Sequence, residues 1–224
     1  MNISRKPFTI WTAGSTDQVI QNSNTGLVDA IVTNPTVINQ WVKQQKDFQS
    51  AVKTVLDNTN LPIFIQLKGP SVSEMQSEVE KMQKISTRII PKVPAIMEGL
   101  KLCKYLTSQG IPKLITTVCS LTQAVAFASF GAEYLCPYVA RLQEKNDDPY
   151  LLIRQTSAFI KENQLSTTIV PASIRNLHQL EQSVMAGANG VIVFNDLFQQ
   201  LLEHRVTQES LDGFDQNDWP EIDF

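Results

Sequence analysis

Short apolar runs alternate with longer segments of helical period along almost the whole chain, and this alternation restricts the fold more than any other feature. The runs fall at 8–12, 29–33, 63–67, 89–93, 114–117, 134–137, 168–171 and 190–194. Each has the length of a strand and is too short for a helix. Between them, Met75, Val79 and Met82 recur at spacings of four and three over 73–85, and Leu100, Cys103 and Leu106 at spacings of three over 99–106. Such spacing lines one face of a helix. Further helices are predicted at 122–130, 149–163, 177–186 and 196–204. Gly110, Gly131 and Gly187 stand where a helix must stop ahead of the next strand. Eight such units close most economically as a (β/α)8 TIM barrel, an α/β fold whose usual size range includes 224 residues. The alternative is an open doubly wound sheet. Against it, no strand is followed by the G-x-G-x-x-G turn that would cradle a dinucleotide phosphate.

One more helix is expected from Thr207, an N-cap residue followed by a charged first turn. It divides the chain into a barrel, 1–206, and a C-terminal helical arm, 207–224. Leu211, Phe214 and Trp219 give the arm an apolar set, which suits packing on a neighbouring subunit or on its own barrel.

Charge and cysteines then narrow the function. The net charge is −3, with no basic block or aromatic-rich basic stripe, so nucleic acid is excluded as a partner. Cys103, Cys119 and Cys136 are too scattered for a disulfide framework, and no Cys or His pair has zinc-ligand spacing. Neither a metal nor a cofactor is expected. The apolar run after Lys6 and Pro7 is too short for a secretory segment, and none approaches the roughly 18 residues that span a bilayer. We expect a soluble, cytoplasmic protein with no membrane partner.

Against that background Lys92 is out of place, in Arg88-Ile89-Ile90-Pro91-Lys92-Val93-Pro94-Ala95-Ile96. Burial disfavours an ammonium, lowers its pKa and frees a lone pair for attack on a carbonyl. The other reading is a lysine at a strand end that lays its stem along the core and keeps its head in water.

Barrel enzymes work at the C-terminal ends of their strands. Here those ends carry Trp11, Asn34, Gln66, Lys92, Thr116, Tyr138 with Arg141, Ser173 with Arg175, and Asn195. Asn34, Gln66 and Thr116 can bond hydroxyls or a water, and Tyr138 can relay a proton. Arg141, Ser173 and Arg175 suit a phosphate dianion. Taken singly, each has a plainer explanation, such as a turn residue, a satisfied strand hydroxyl or a surface charge.

Several motifs carry a family resemblance: Thr33-Asn34-Pro35-Thr36, Lys92-Val93-Pro94, Glu98-Gly99-Leu100, Pro137-Tyr138-Val139 with Arg141, and Ala172-Ser173-Ile174-Arg175. Together they resemble the small-subunit transaldolase and fructose-6-phosphate aldolase family, in order and over essentially the whole chain. The resemblance implies metal-free class I aldol chemistry in sugar-phosphate metabolism, on a hydroxyketone and a sugar phosphate, with Lys92 as the Schiff-base residue. It implies catalytic water and proton transfer for Tyr138, Gln66 and Thr116. It also implies a phosphate grip from Arg141, Ser173 and Arg175, a substrate contact from Asn34, and a homo-oligomer of ten subunits. Tyr138 and Gln66 resemble the aldolase branch, whereas transaldolases tend to carry phenylalanine and glutamate there.

The chain departs from the family at the donor end. Trp11-Thr12-Ala13 stands where the family has Asp-Thr-Ala, which places an indole at the expected barrel mouth and makes Trp11 a candidate substrate contact. Pro91 precedes the lysine, although proline is disfavoured inside a central strand. Ala95-Ile96-Met97 replaces a more polar turn. Three functions follow: an aldolase, a transaldolase moving a dihydroxyacetone unit, or a sugar-phosphate-binding barrel without turnover.

Overall fold

The computed structural model describes residues 7–215, and the tail around Trp219 lies outside them. In chain order the elements begin with β1 (Thr9–Ala13), α1 (Thr16–Ser23), β2 (Val28–Val32), α2 (Pro35–Gln45), α3 (Phe48–Asn58) and β3 (Ile63–Gln66). There follow α4 (Val72–Ile85), β4 (Ile89–Pro94), α5 (Met97–Ser108), β5 (Leu114–Val118), α6 (Leu121–Ser129), β6 (Tyr134–Pro137) and α7 (Val139–Gln143). The chain continues through α8 (Pro149–Glu162), β7 (Thr168–Ile169), α9 (Leu177–Met185), β8 (Gly190–Phe194), α10 (Asn195–Gln199) and α11 (Arg205–Asp215). The strands run parallel in the order β7-β6-β5-β4-β3-β2-β1-β8, a (β/α)8 TIM barrel with an added C-terminal helix.

The barrel closes between β7 and β8 without a ladder. Asn189 N–H donates to Ile169 O at 2.9 Å, Ile169 N–H to Asn189 Oδ1 at 3.0 Å, and Ile192 N–H to Pro171 O at 2.9 Å. β7 has two ladder residues, fewer than the run 168–171 implied, and Pro171 has no N–H to extend it. β4 has six, and it includes Pro91, paired with Ile65 of β3.

Local sequence sets the helix starts. Ser15 with Gln18, Ser71 with Glu74 and Ser120 with Gln123 each form a capping box, in which side chain and backbone satisfy each other's free N–H groups. Asn34 caps α2 and accepts from Val37 N–H at 2.9 Å, with Pro35 next to it in the first turn. Helix α9 stops before Gly187, whose φ of 99° suits a residue without a Cβ. Gly99 matters for another reason: a Cβ there would lie 2.1 Å from Pro94 O, so only glycine lets α5 approach the end of β4.

Trp11, Ala30, Val32, Phe64, Ile90, Leu114, Cys136, Val170, Ala172 and Ile192 fill the barrel interior. Two larger clusters pack the outer strand faces against the helices. On the rim, Trp41 Nε1 of α2 donates to Gly14 O at 2.7 Å and pins the turn after β1.

Helices α1, α2, α3 and α7 are additions to the sequence reading. The helix expected at 196–204 is α10 followed by a 3-10 turn, Gln200–Leu202. The arm helix starts at Arg205, two residues before the expected Thr207. The described side chains of α11 are all exposed, with Leu211 at 50% and Phe214 at 54%.

Candidate functional site

The register of β4 puts Lys92 opposite Gln66 of β3 and sets Pro94 opposite Thr116 of β5. The alternation of the strand turns Lys92 inward, in line with Ile90 below it. The side chain is 2% exposed. Its Nζ donates to Thr33 O and to Gln66 Oε1, both at 3.3 Å, and lies 5.9 Å from the centre of the Tyr138 ring. Among the described residues no carboxylate forms an ion pair with it. Burial therefore holds the amine below the ordinary lysine range, opposed by the nearby Cys136. Lys92 is not a snorkelling surface lysine.

Tyr138 and Thr116 form a second unit, with Tyr138 Oη and Thr116 Oγ1 3.0 Å apart. Burial pushes the Tyr138 hydroxyl up to about 12, so it stays protonated at neutral pH and can donate. Cys136 lies one inward position below Tyr138, and burial pushes its thiol up to about 11. Thr117, beside Thr116, takes a φ of 57°, and Ser173 takes 58°. Both are unfavourable for residues with a Cβ, and such strain clusters at functional sites.

A cavity of about 430 Å³ opens at this end of the barrel. Lys92, Tyr138, Asn34, Arg141, Ser173 and Arg175 all line it. Lys92 comes from β4 and Tyr138 from the end of β6, and the Arg-Ser-Arg set comes from α7 and the loop after β7. Gln66 stands behind Lys92, and Thr116 stands behind Tyr138, in hydrogen-bond contact with them rather than on the cavity wall. Asn34 has its Oδ1 engaged as the α2 cap, which leaves its amide nitrogen for other partners.

Trp11 is not at the mouth. It is 1% exposed, stacked on Phe64 with centroids 4.5 Å apart and set edge-on to Tyr134 at 5.0 Å. Strand β1 runs two residues past it, and Ala13 takes the place on the cavity wall. Trp11 instead borders a separate cavity of about 420 Å³ at the opposite end, with Thr9, Thr168 and Asn189. Its indole N–H is buried without a hydrogen-bond partner among the described residues.

A lysine, a tyrosine–threonine pair and two arginines thus meet at one barrel mouth. A family model described as transaldolase/fructose-6-phosphate aldolase matches residues 13–222. The chain belongs to the transaldolase/fructose-6-phosphate aldolase family. Relatives within reach of this transaldolase-family chain include a probable transaldolase 2 of Listeria monocytogenes, 30% identical over 92% of each chain. A probable transaldolase of Desulfosudis oleivorans is 32% identical over 91% of this chain and 93% of its own. Another, of Dictyoglomus turgidum, is 30% identical over 88% and 90%.

Within this transaldolase-family site, sequence reasoning missed Asp196 and Glu144. Asp196 lines the cavity one residue beyond the Asn195 that strand-end counting reached. Glu144 pairs with both arginines, and its spacing of three from Arg141 on a helix was the available signal. Among the described residues no cluster of His, Cys, Asp and Glu could hold a metal ion, and no helix is long and apolar enough to cross a membrane.

Proposed function

We propose that the protein is a class I aldolase of the fructose-6-phosphate aldolase type, joining or splitting a small hydroxyketone and an aldehyde phosphate through Lys92. The carrying observation is a buried lysine, paired with no carboxylate among the described residues, in the lining of the cavity that also bears Arg141, Ser173 and Arg175. The neutral amine attacks the ketone carbonyl carbon, an acid protonates the resulting carbinol oxygen, and water leaves, giving a protonated imine. In the cleavage direction the bond between the third and fourth carbons of the sugar breaks. Its electron pair flows into the imine to form an enamine, and the hydroxyl proton of the departing aldehyde passes to a base. Protonation of the enamine carbon and hydrolysis release the ketone and regenerate Lys92. Tyr138, paired with Thr116, serves proton transfer directly or through a water, and Gln66 holds the amine in place. The two guanidiniums and the Ser173 hydroxyl take the phosphate of the acceptor.

Borohydride reduction in the presence of dihydroxyacetone, followed by mass spectrometry, is expected to add the reduced donor to Lys92. Absence of an adduct with every ketone donor and sugar phosphate tried would sink the reading. Sugar-phosphate binding by calorimetry without imine trapping would assign a sugar-phosphate-binding barrel in its place.

A second reading, transaldolase, is favoured by the names of the relatives, whereas Tyr138 and Gln66 favour the aldolase. Transfer between two sugar phosphates with negligible release of free dihydroxyacetone would decide for it. We further propose a cytoplasmic homo-oligomer, a decamer by family resemblance, in which the exposed apolar face of α11 packs on a neighbouring subunit. Deleting the residues after Val206 is expected to lower the sedimentation coefficient beyond the lost mass, and no such change would reject the role of the arm.

A further inference from the structure

The two arginines that frame the anion end of the cavity come from separate segments, yet one carboxylate holds both. Arg141 Nη1 lies 3.4 Å from Glu144 Oε2, and Arg175 Nη2 is bonded to Glu144 Oε1. Arg141 and Arg175 line the cavity, and Glu144 is not among its lining residues. The carboxylate therefore joins the two arginines from outside the cavity lining. It engages one terminal nitrogen of each and leaves other donors of each fork free. The two bonds with Arg175 and Arg141 hold the Glu144 carboxyl below the usual carboxylate range, so it is charged throughout the neutral region.

The backbone beneath this bridge is fixed from the same two sides. Arg175 N–H donates to Gln179 Oε1 at 2.7 Å, and Gln179 Nε2 donates to Gln143 Oε1 at 2.7 Å. Ala140 N–H donates to Ser173 O at 2.9 Å, so α7 is stitched to the loop after β7 directly beside Ser173. The backbone positions of Arg141 and Arg175 are thus set without Glu144, while their side chains, 66% and 55% exposed, are long and otherwise free to sample water. What Glu144 adds is the mutual orientation of the two forks.

We propose that Glu144 is a positioning residue of the anion end, a brace that pre-orders Arg141 and Arg175 for a phosphate and so sets the affinity for phosphorylated acceptors. This rests on the reading of that end as a phosphate site. The proposal has an unusual sign. Coulomb's law alone says that removing a negative charge from beside two arginines tightens the binding of a dianion. A brace says the reverse, because each guanidinium must then be ordered at the moment of binding.

The test is the affinity of the full-length protein for inorganic phosphate, by titration calorimetry, in wild type, Glu144→Ala and Glu144→Gln. The expected result is weaker binding by about three- to tenfold in Glu144→Ala, with a smaller loss in Glu144→Gln, which keeps one acceptor oxygen. In turnover the loss falls on the KM of a phosphorylated acceptor and not on that of an unphosphorylated aldehyde, a split that general destabilisation would not produce. Equal or tighter binding of phosphate by Glu144→Ala overturns the brace and leaves the anion-end reading standing. If wild type binds no phosphate, both fall together, while imine trapping at Lys92 reports separately on the covalent step.

Discussion

Replacing Trp11 by alanine and by phenylalanine separates two opposed contributions of one side chain. The indole is 1% exposed and lies flat on Phe64, with an interplanar angle of 16°, and edge-on to Tyr134 at 70°. Its N–H is buried with no partner among the described residues. Trp11→Ala removes the whole ring from a closed interior, which costs about 3–5 kcal/mol. Trp11→Phe keeps a ring between the same two aromatics and loses only the volume of the second ring, roughly 2–3 kcal/mol at about 0.8 kcal/mol per buried carbon group. It also removes the orphaned donor, which returns about 1–3 kcal/mol. The two nearly cancel, so Trp11→Phe is expected within about 1 kcal/mol of wild type, and Trp11→Ala several kcal/mol below it. Urea unfolding followed by far-UV circular dichroism at one fixed subunit concentration measures both, because assembly would otherwise shift the midpoints. If Trp11→Phe costs as much as Trp11→Ala, the buried N–H carries no penalty, and the reasoning from its missing partner fails.

Lys92→Met is expected to abolish imine trapping and to change how stability depends on pH. The folded-state pKa of Lys92 is depressed, so between that value and the ordinary lysine value of 10.5 the unfolded state binds more protons, and wild-type stability rises with pH through this window. Urea midpoints over a pH series should show that rise in wild type and a flatter profile in the variant. Tyr138→Phe removes the hydroxyl 3.0 Å from Thr116 Oγ1 and is expected to lower kcat by about 10²–10⁴-fold while leaving borohydride trapping at Lys92 intact. Equal losses of trapping and turnover would assign Tyr138 to imine formation instead. Gly99→Ala drives a Cβ against Pro94 O and should cost about 1–3 kcal/mol or more, read as a fall in Tm. An unchanged Tm would show that α5 can retreat from β4 freely.

The eight strands are legible in the sequence because each is a short apolar run closed by a turn residue. The pair α2 and α3 is not, for a local reason. Asn34-Pro35 reads as a turn, and the helix it opens shows only Val37 and Trp41 as buried positions amid Asn, Gln and Lys. At the site, strand-end counting brought Lys92, Asn34, Tyr138, Arg141, Ser173 and Arg175 to one cavity wall. It misplaced Trp11 because β1 continues to Ala13, and in a strand two residues move a side chain one full inward layer deeper. Gln66 and Thr116 are visible as polar strand ends, but their place behind Lys92 and Tyr138 depends on cross-strand register, which no single run contains. The partnership of Glu144 with Arg175 joins positions 31 residues apart and became visible only when the barrel brought α7 beside the loop after β7.

The uneven ladder has a mechanical consequence. Lys92 belongs to a six-residue strand paired on both flanks, whereas the loop carrying Ser173 and Arg175 hangs from a strand that contributes two residues, next to the seam with β8. Ladder bonds hold the amine, whereas loop bonds hold the arginine end, with Val139 N–H donating to Ala172 O and Ala140 N–H to Ser173 O, both at 2.9 Å. Under the proposed function, the distance between these two supports sets how long a carbon chain can be held at both ends. A change of loop sequence after β7 would then alter the acceptor length without touching the strand that aims the lysine.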